Sequence, residues 1–206
     1  MMIVLNECFE FFKGIFLMGD LASAGLDVDN VKTDGAPFFV VSPVKLGVMT
    51  FFTFGLYWWY CFYQSWRLHK VRTGERVIPI LRSAFGIFFI YPLLSRANDF
   101  IRESGGSYPW SILRLTLTYY ALSIMTAVAG FFLDGHLATV LAVELILQIA
   151  WISIMVAMQK GINFSAGDAS GESNSRFTLA NWLWMIPGCV MELVKLYALF
   201  MTPLMA

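Results

Sequence analysis

Residues 42–82 read SPVKLGVMTFFTFGLYWWYCFYQSWRLHKVRTGERVIPILR, and how this stretch folds decides how the rest of the chain is arranged. Residues 46–66 carry no charge over 21 positions, after which Arg67, Lys70, Arg72, Arg76 and Arg82 follow in quick succession. At about 1.5 Å rise per residue, an uncharged helix of that length matches the ~30 Å hydrocarbon core of a bilayer. Phe51, Phe52 and Phe54 come first, whereas Tyr57, Trp58, Trp59, Tyr60, Tyr63 and Trp66 stand nearer the bases. Tyr and Trp carry a polar tip on an apolar body and collect at the headgroup level, where cations also sit. The stretch reads as a membrane segment with a marked cytoplasmic edge.

The totals agree. Of 206 residues, 58% are hydrophobic and 14% charged, against about 25% charged in ordinary soluble domains. One soluble core of this size could not hide so much apolar surface. Formal net charge is zero, so no basic field argues for nucleic acid. The charges are unevenly spread. Residues 1–45 hold six acids and three bases, 67–114 hold eight bases and three acids, and 115–158 hold no Lys or Arg. Cys8, Cys61 and Cys189 lie far apart with no Cys/His cluster, which supports buried small hydrophobes over a disulfide framework or a zinc site.

Along the chain, three parts are expected: 1–42, 43–110 and 111–206. Residues 1–19 resemble a signal peptide poorly, because Glu7 and Glu10 interrupt the apolar run and the first base is Lys13. They read instead as an amphipathic helix, followed by an Asp/Gly/Ala-rich linker over 20–37. After 46–66, bases in a last turn followed by Gly74 and Pro79 predict a helix end, with Gly74 as its C-cap. His69, among these bases, is expected to be a solvated interfacial side chain. Residues 83–95 are apolar but only 13 long with Pro92 inside, short for a crossing, and predict a re-entrant or interfacial dip. If they do not cross, all eight bases from Arg67 to Arg114 share one side, as the positive-inside rule favours. Residues 97–110 predict a loop. Residues 111–133 and 137–158 predict two antiparallel spans joined by Asp134-Gly135-His136, and 161–176 a polar loop. The last apolar run, 177–206, interrupted at Pro187-Gly188, is expected to be either one kinked crossing or a half-span turning along the interface.

The block Ser42-Pro43-x-Lys45-Leu46, Thr53-Phe54-Gly55-Leu56-Tyr57, Tyr60, Tyr63 and Trp66, then Arg72-Thr73-Gly74-Glu75 and Pro79-x-Leu81-Arg82, resembles a group of uncharacterised bacterial membrane proteins. Asn181-Trp182-Leu183-Trp184 with Pro187-Gly188 is similar to that group as well. The resemblance covers about half the chain and implies a bacterial inner-membrane location, with no activity attached. Cytoplasmic N-terminal extensions in some of its members leave two readings of 46–66: a hairpin broken at Gly55, or a plain crossing with the acidic N-terminus outside. Both keep 67–114 inside.

Chemistry concentrates in a few polar residues. Glu144 and Gln148 lie i, i+4 on one helix face, with Glu144 about 10 Å below the membrane edge by helix rise. A carboxylate there costs about 2.5–3.5 kcal/mol on insertion scales and needs a partner, water or a proton. Tyr119, Ser123 and Thr126 recur at helical spacing on the preceding span. Folding the pair about Gly135 sets Thr126 at the depth of Glu144 and Ser123 near Gln148, which predicts a polar seam between the two helices. Glu192 and Lys195 stand i, i+3, a spacing that permits an ion pair on one face, but both are expected near the far interface, with Lys195 snorkelling. The edge formed by Trp66, Arg67, Lys70, Arg72, Arg76 and Arg82 is expected to meet lipid headgroups or a protein partner. Asn163-Phe164-Ser165 fits a glycosylation sequon, without meaning in a bacterium. No catalytic or cofactor motif is present.

The sequence therefore predicts an all-α multi-pass membrane protein. It has about four hydrophobic helices, one short dip and an N-terminal amphipathic helix. The leading expectation is a non-enzymatic scaffold in the lipid bilayer, without cofactor or nucleic acid, that contacts a protein partner or a second copy. The competing expectation is a small transporter or channel with Glu144 as its proton or cation site.

Overall fold

The computed structural model of the chain describes residues 36–132 and 136–201, and among these every regular element is helical. The amphipathic helix expected over 1–19, most of the linker after it, and most of the turn at 134–136 lie outside the described residues.

Residues 46–66 are not one span. They divide between α1 (Pro43–Phe52) and α2 (Leu56–Thr73), and the chain reverses between them. Ser42 caps α1, its hydroxyl accepting from the Lys45 amide at 3.2 Å, with Pro43 at the first helical position. At the tip, Phe54 (φ 50°) and Gly55 (φ 87°) both take the left-handed conformation. The Thr53 hydroxyl ties the two helices together, donating to Met49 O at 2.7 Å and accepting from Tyr57 N at 3.0 Å. Phe38 then stacks on His69 and Phe39 meets Tyr60 edge-on, each pair at 5.6 Å between ring centres. The chain entering α1 thus lies beside the chain leaving α2. Ten residues of helix rise about 15 Å, half a bilayer core.

A second reversal follows at Phe85, between α3 (Pro79–Ala84) and α4 (Gly86–Glu103). Gly86 packs on Phe62, and further along α4 Phe89 meets Trp66 and Arg96 meets Glu75, so this hairpin runs beside the first. The loop expected from 97 begins later, because α4 runs on to Glu103. Ile90, Leu93, Leu94, Ala97 and Ile101 form a buried stripe at helical spacing that carries the helix through Pro92. Gly74 does cap α2, with φ 70° and its N–H on Lys70 O at 2.9 Å.

Among the described residues three helices are long and apolar enough to cross a membrane, which fits a membrane protein without confirming the expected count of about four: α5 (Ile112–Phe132), α6 (Leu137–Ser165) and α7 (Leu179–Met201). At 29 residues α6 extends past the expected end at 158, because Gln159 and Asn163 are buried and hydrogen-bonded on its inner face. Thr178 and Asn181 cap α7 reciprocally. That helix runs through Pro187 without ending. Gly188 is where it meets α1: a Cβ there would lie 1.7 Å from the Phe52 carbonyl oxygen.

One end of the bundle is densely tied. Asn163 grips the Val41 backbone with both amide atoms (3.2 and 2.8 Å), Gln159 donates to Phe39 O at 2.8 Å, and Asn174 donates to Val40 O at 2.9 Å. Lys45 sends its ammonium to Asn174 Oδ1 and Arg176 O, each at 2.7 Å. The extended segment entering α1 is therefore held as a strand would be, with side-chain amides in place of a neighbouring strand. Asn163, fully buried, is no glycosylation acceptor.

Candidate functional site

The tips of both hairpins point at the inner faces of α5 and α6, and a cleft of about 580 Å³ lies between them. The five residues of the expected polar seam, Tyr119, Ser123, Thr126, Glu144 and Gln148, all line it. Thr50 and the Phe54–Gly55 tip line it from the other side. The cleft walls are otherwise mostly aromatic and aliphatic, among them Trp59, Trp151 and Met155.

The seam is built differently from its expected pairing. Gln148 does not meet Ser123; its amide donates at 3.0 Å to Phe51 O in the last turn of α1, which also accepts from Phe54 N at 3.4 Å. Ser123 bonds back to Tyr119 O at 2.9 Å. Thr126 accepts from the Trp151 indole at 2.9 Å, and Tyr119 meets the same ring edge-on at 4.9 Å. Glu144 is bonded by Lys195, which also donates to Glu192 Oε1 at 3.2 Å and lies 5.3 Å from the centre of the Phe54 ring. Lys195 thus bonds two carboxylates, Glu192 on its own helix and Glu144 on α6. Thr50 is buried with its hydroxyl unpartnered.

Lys195, Thr50 and the Phe54 tip are the members of this site that sequence reasoning missed. Lys195 carried a usable signal. It is the sole base after Arg176 and Glu144 the sole acid between Asp134 and Asp168, so an intramembrane carboxylate in need of a cation had one nearby candidate span. Thr50 and Phe54 carried none, because their place depends on the reversal at Gly55.

The basic edge separates into two groups. Lys70, Arg72 and Arg76 are exposed, Arg67 is half-buried, and Arg72 also covers the Phe100 ring at 4.7 Å. Trp66, by contrast, is fully buried, beneath Arg82 at 4.0 Å and Arg96 at 5.3 Å from its ring centre. It holds the two hairpins together and meets no headgroup. Arg82 is committed to the same ring.

His69 is likewise internal, buried between Phe38 and Trp66. Its Nε2 lies 3.0 Å from Glu75 Oε2 and 3.1 Å from Arg96 Nε. One nitrogen cannot serve both at once: neutral, it accepts from Arg96; protonated, it donates to Glu75. Burial pushes the imidazole below its ordinary range, with the Arg96 and Arg82 charges adding to that and the Glu75 hydrogen bond opposing it. Glu75 is held low chiefly by its hydrogen bond to Arg96, whose Nη2 reaches Oε1 at 2.6 Å. The cluster joins the bases of the two hairpins. Cys61 is buried as expected, whereas Cys189 is exposed on α7.

Comparison with protein-family models, with curated proteins and with solved structures finds no match to this chain in any of the three.

Proposed function

We propose that the chain is a non-enzymatic multi-pass protein of the bacterial inner membrane that passes a small cationic solute through the cleft between its interrupted helices. The observation that supports this best is a convergence on one cavity. A buried, unpartnered Thr50 hydroxyl near the end of α1, the Phe54–Gly55 tip and the sole carboxylate of α6 all line it. A helix C-terminus carries about half a negative charge, so α1 and Glu144 together make a cation-attracting wall. Helices interrupted within the membrane leave backbone groups open only where protein or a cavity receives them. Lys195 occupies Glu144 at rest, so an incoming cation competes with a tethered one, which returns when the solute leaves.

The test is flux of alkali cations and small alkylamines into proteoliposomes holding the purified chain. Glu144→Gln and Thr50→Val are expected to remain folded, Glu144→Gln melting slightly lower for want of its Lys195 pair, and to lose flux at least tenfold. Undiminished flux in Glu144→Gln, or no flux in the wild type, removes the reading.

The exposed Lys70, Arg72 and Arg76 support a second reading, a scaffold whose cytoplasmic edge holds a partner protein. That reading expects one partner to co-purify and to be lost when these residues and Arg67 are neutralised. No partner in the wild type, or a partner that stays after neutralisation, discards it.

A further inference from the structure

A second cleft, of about 300 Å³, lies on the far side of α5 and α6 from the hairpin tips, where α5 begins and α6 nears its end. Arg114 and Lys160 both line it and both are exposed. Neither has a carboxylate or other side-chain partner among the described residues, unlike Lys45, Arg96 and Lys195. Ser111 and Ser153 place two hydroxyls beside them, and Tyr108 stands at the rim. The start of α5 adds the positive end of a helix to the two cations. Below them the lining turns apolar, through Leu115, Val156 and Ala157.

The wall is rigid. Gly161 of α6 lies flat against Trp110, where a Cβ would come within 2.2 Å of the ring, and the indole N–H is anchored on Asn98 Oδ1 at 3.0 Å. A fixed aromatic wall, two cations and two hydroxyls above an apolar floor suit an amphiphile with an anionic phosphate head. The polar end lies where two spans reach the bundle end that gathers the chain's bases, and the apolar floor continues along those spans. Basic pockets between membrane helices on the cytoplasmic side take such headgroups.

We propose that this cleft is a binding site for one anionic phospholipid, with its phosphate between Arg114 and Lys160 and an acyl chain along Leu115 and Val156. The proposal uses the membrane reading but not the solute cleft, so either can fail alone.

The experiment is native mass spectrometry of the full chain, delipidated in detergent and titrated with phosphatidylglycerol, phosphatidylcholine or inorganic phosphate. One phosphatidylglycerol per chain is expected to bind more tightly than any phosphatidylcholine. At about a factor of five per cation, Arg114→Gln with Lys160→Gln is expected to weaken it about 30-fold. Phosphatidylcholine binding is expected to stay unchanged, as is tight phosphatidylglycerol binding in Arg102→Gln, at an exposed base outside the cleft. Should the double variant not fold, Arg114→Gln and Lys160→Gln, each at an exposed position, carry the same comparison singly. Equal retention of the two lipids by the wild type, or full retention by the variants, overturns the site. Complete displacement by millimolar inorganic phosphate overturns the lipid assignment in favour of a free anion.

Discussion

The two ends of this bundle are built on opposite principles. At the end where segment 38–42 enters, Phe38, Val41, Met158, Gln159, Ile162 and Asn163 are all less than 2% exposed, and the buried polar atoms there are paired in a continuous set. At the hairpin tips, the polar side chains of Thr50, Tyr119, Ser123, Thr126, Glu144 and Gln148 face a cavity. The first arrangement spends its hydrogen bonds on holding a backbone; the second leaves Thr50 unbonded and ties Glu144 to a flexible lysine. A protein that only needed to be rigid would gain by filling the second end as it fills the first. On the proposed transport reading, the contrast puts the solute path at the tips, on a frame fixed at the other end.

The joint between the two ends is the most vulnerable point. Gly188→Ala places a Cβ 1.7 Å from Phe52 O, against backbone that cannot swing aside. It is expected to cost about 3 kcal/mol or more, or to prevent assembly. Gly130→Ala, in a span with nothing within 4 Å, is expected to leave the melting temperature in detergent unchanged or raised. Equal behaviour of the two would show that α1 does not rest on α7.

Next in size is the amide grip. Asn163→Leu leaves the Val41 N–H and carbonyl buried without partners and is expected to cost about 2–4 kcal/mol. Gln148→Leu removes one of two donors to the Phe51 carbonyl, the Phe54 N–H remaining, and is expected to cost about 1 kcal/mol or less. Thermal unfolding of both variants in one detergent reads the difference directly. A reversed order would sink the assignment of rigid and working ends.

The cleft ion pair comes third. In a cycle of Lys195→Met, Glu144→Gln and the double variant, a coupling of about 0.6–1.7 kcal/mol is expected, the range of polar pairs between membrane helices. Zero coupling would mean that Lys195 serves Glu192 alone.

What the sequence disclosed follows the same division. The three spans were legible as long apolar runs, and the seam residues were legible because polar side chains inside such runs are expensive and conspicuous. The Gly74 cap was legible from local chemistry. The reversal at Gly55 was open to two readings, since 21 uncharged residues fit one crossing or two half-depth arms equally well. Only the contacts of Phe38 and Phe39 with α2, set by packing between distant segments, decide it. Trp66 and His69 misled for a related reason. Beside a basic run they have the composition of an interface, and their burial comes from α4 and the 38–42 segment folding over them. Asn163 and Gln159 lay next to a Gly/Ser-rich stretch, where amides normally face water.

The smallest expected effect concerns the loop that closes the rigid end. Asp168 accepts from the backbone amides of Gly171 at 2.9 Å, Glu172 at 3.0 Å and Ser173 at 2.9 Å, and from the Ser170 hydroxyl at 3.1 Å. These bonds favour its charged form and hold the carboxyl down to about 2 from 3.8. A depressed carboxyl contributes stability that is present in full above its unfolded value and is lost as pH falls through its folded one. The window is therefore pH 4 down to about 2. The loop carries Gly171, where a Cβ would lie 2.6 Å from the Ser42 backbone, and Asn174, which bonds Val40 and Lys45. Acid is thus expected to loosen the clamp on segment 38–42 from its loop side while Asn163 still holds the other. Hydrogen exchange at Gly171, Glu172 and Ser173, corrected for intrinsic rates, should show protection falling across that window in the wild type. Asp168→Asn should show lower protection at every pH and no such fall, because its amide offers one acceptor where the carboxylate offers two. A flat wild-type profile would mean that the loop is held by Asn174 and Gly171 alone, and the rigid end would then owe nothing to Asp168.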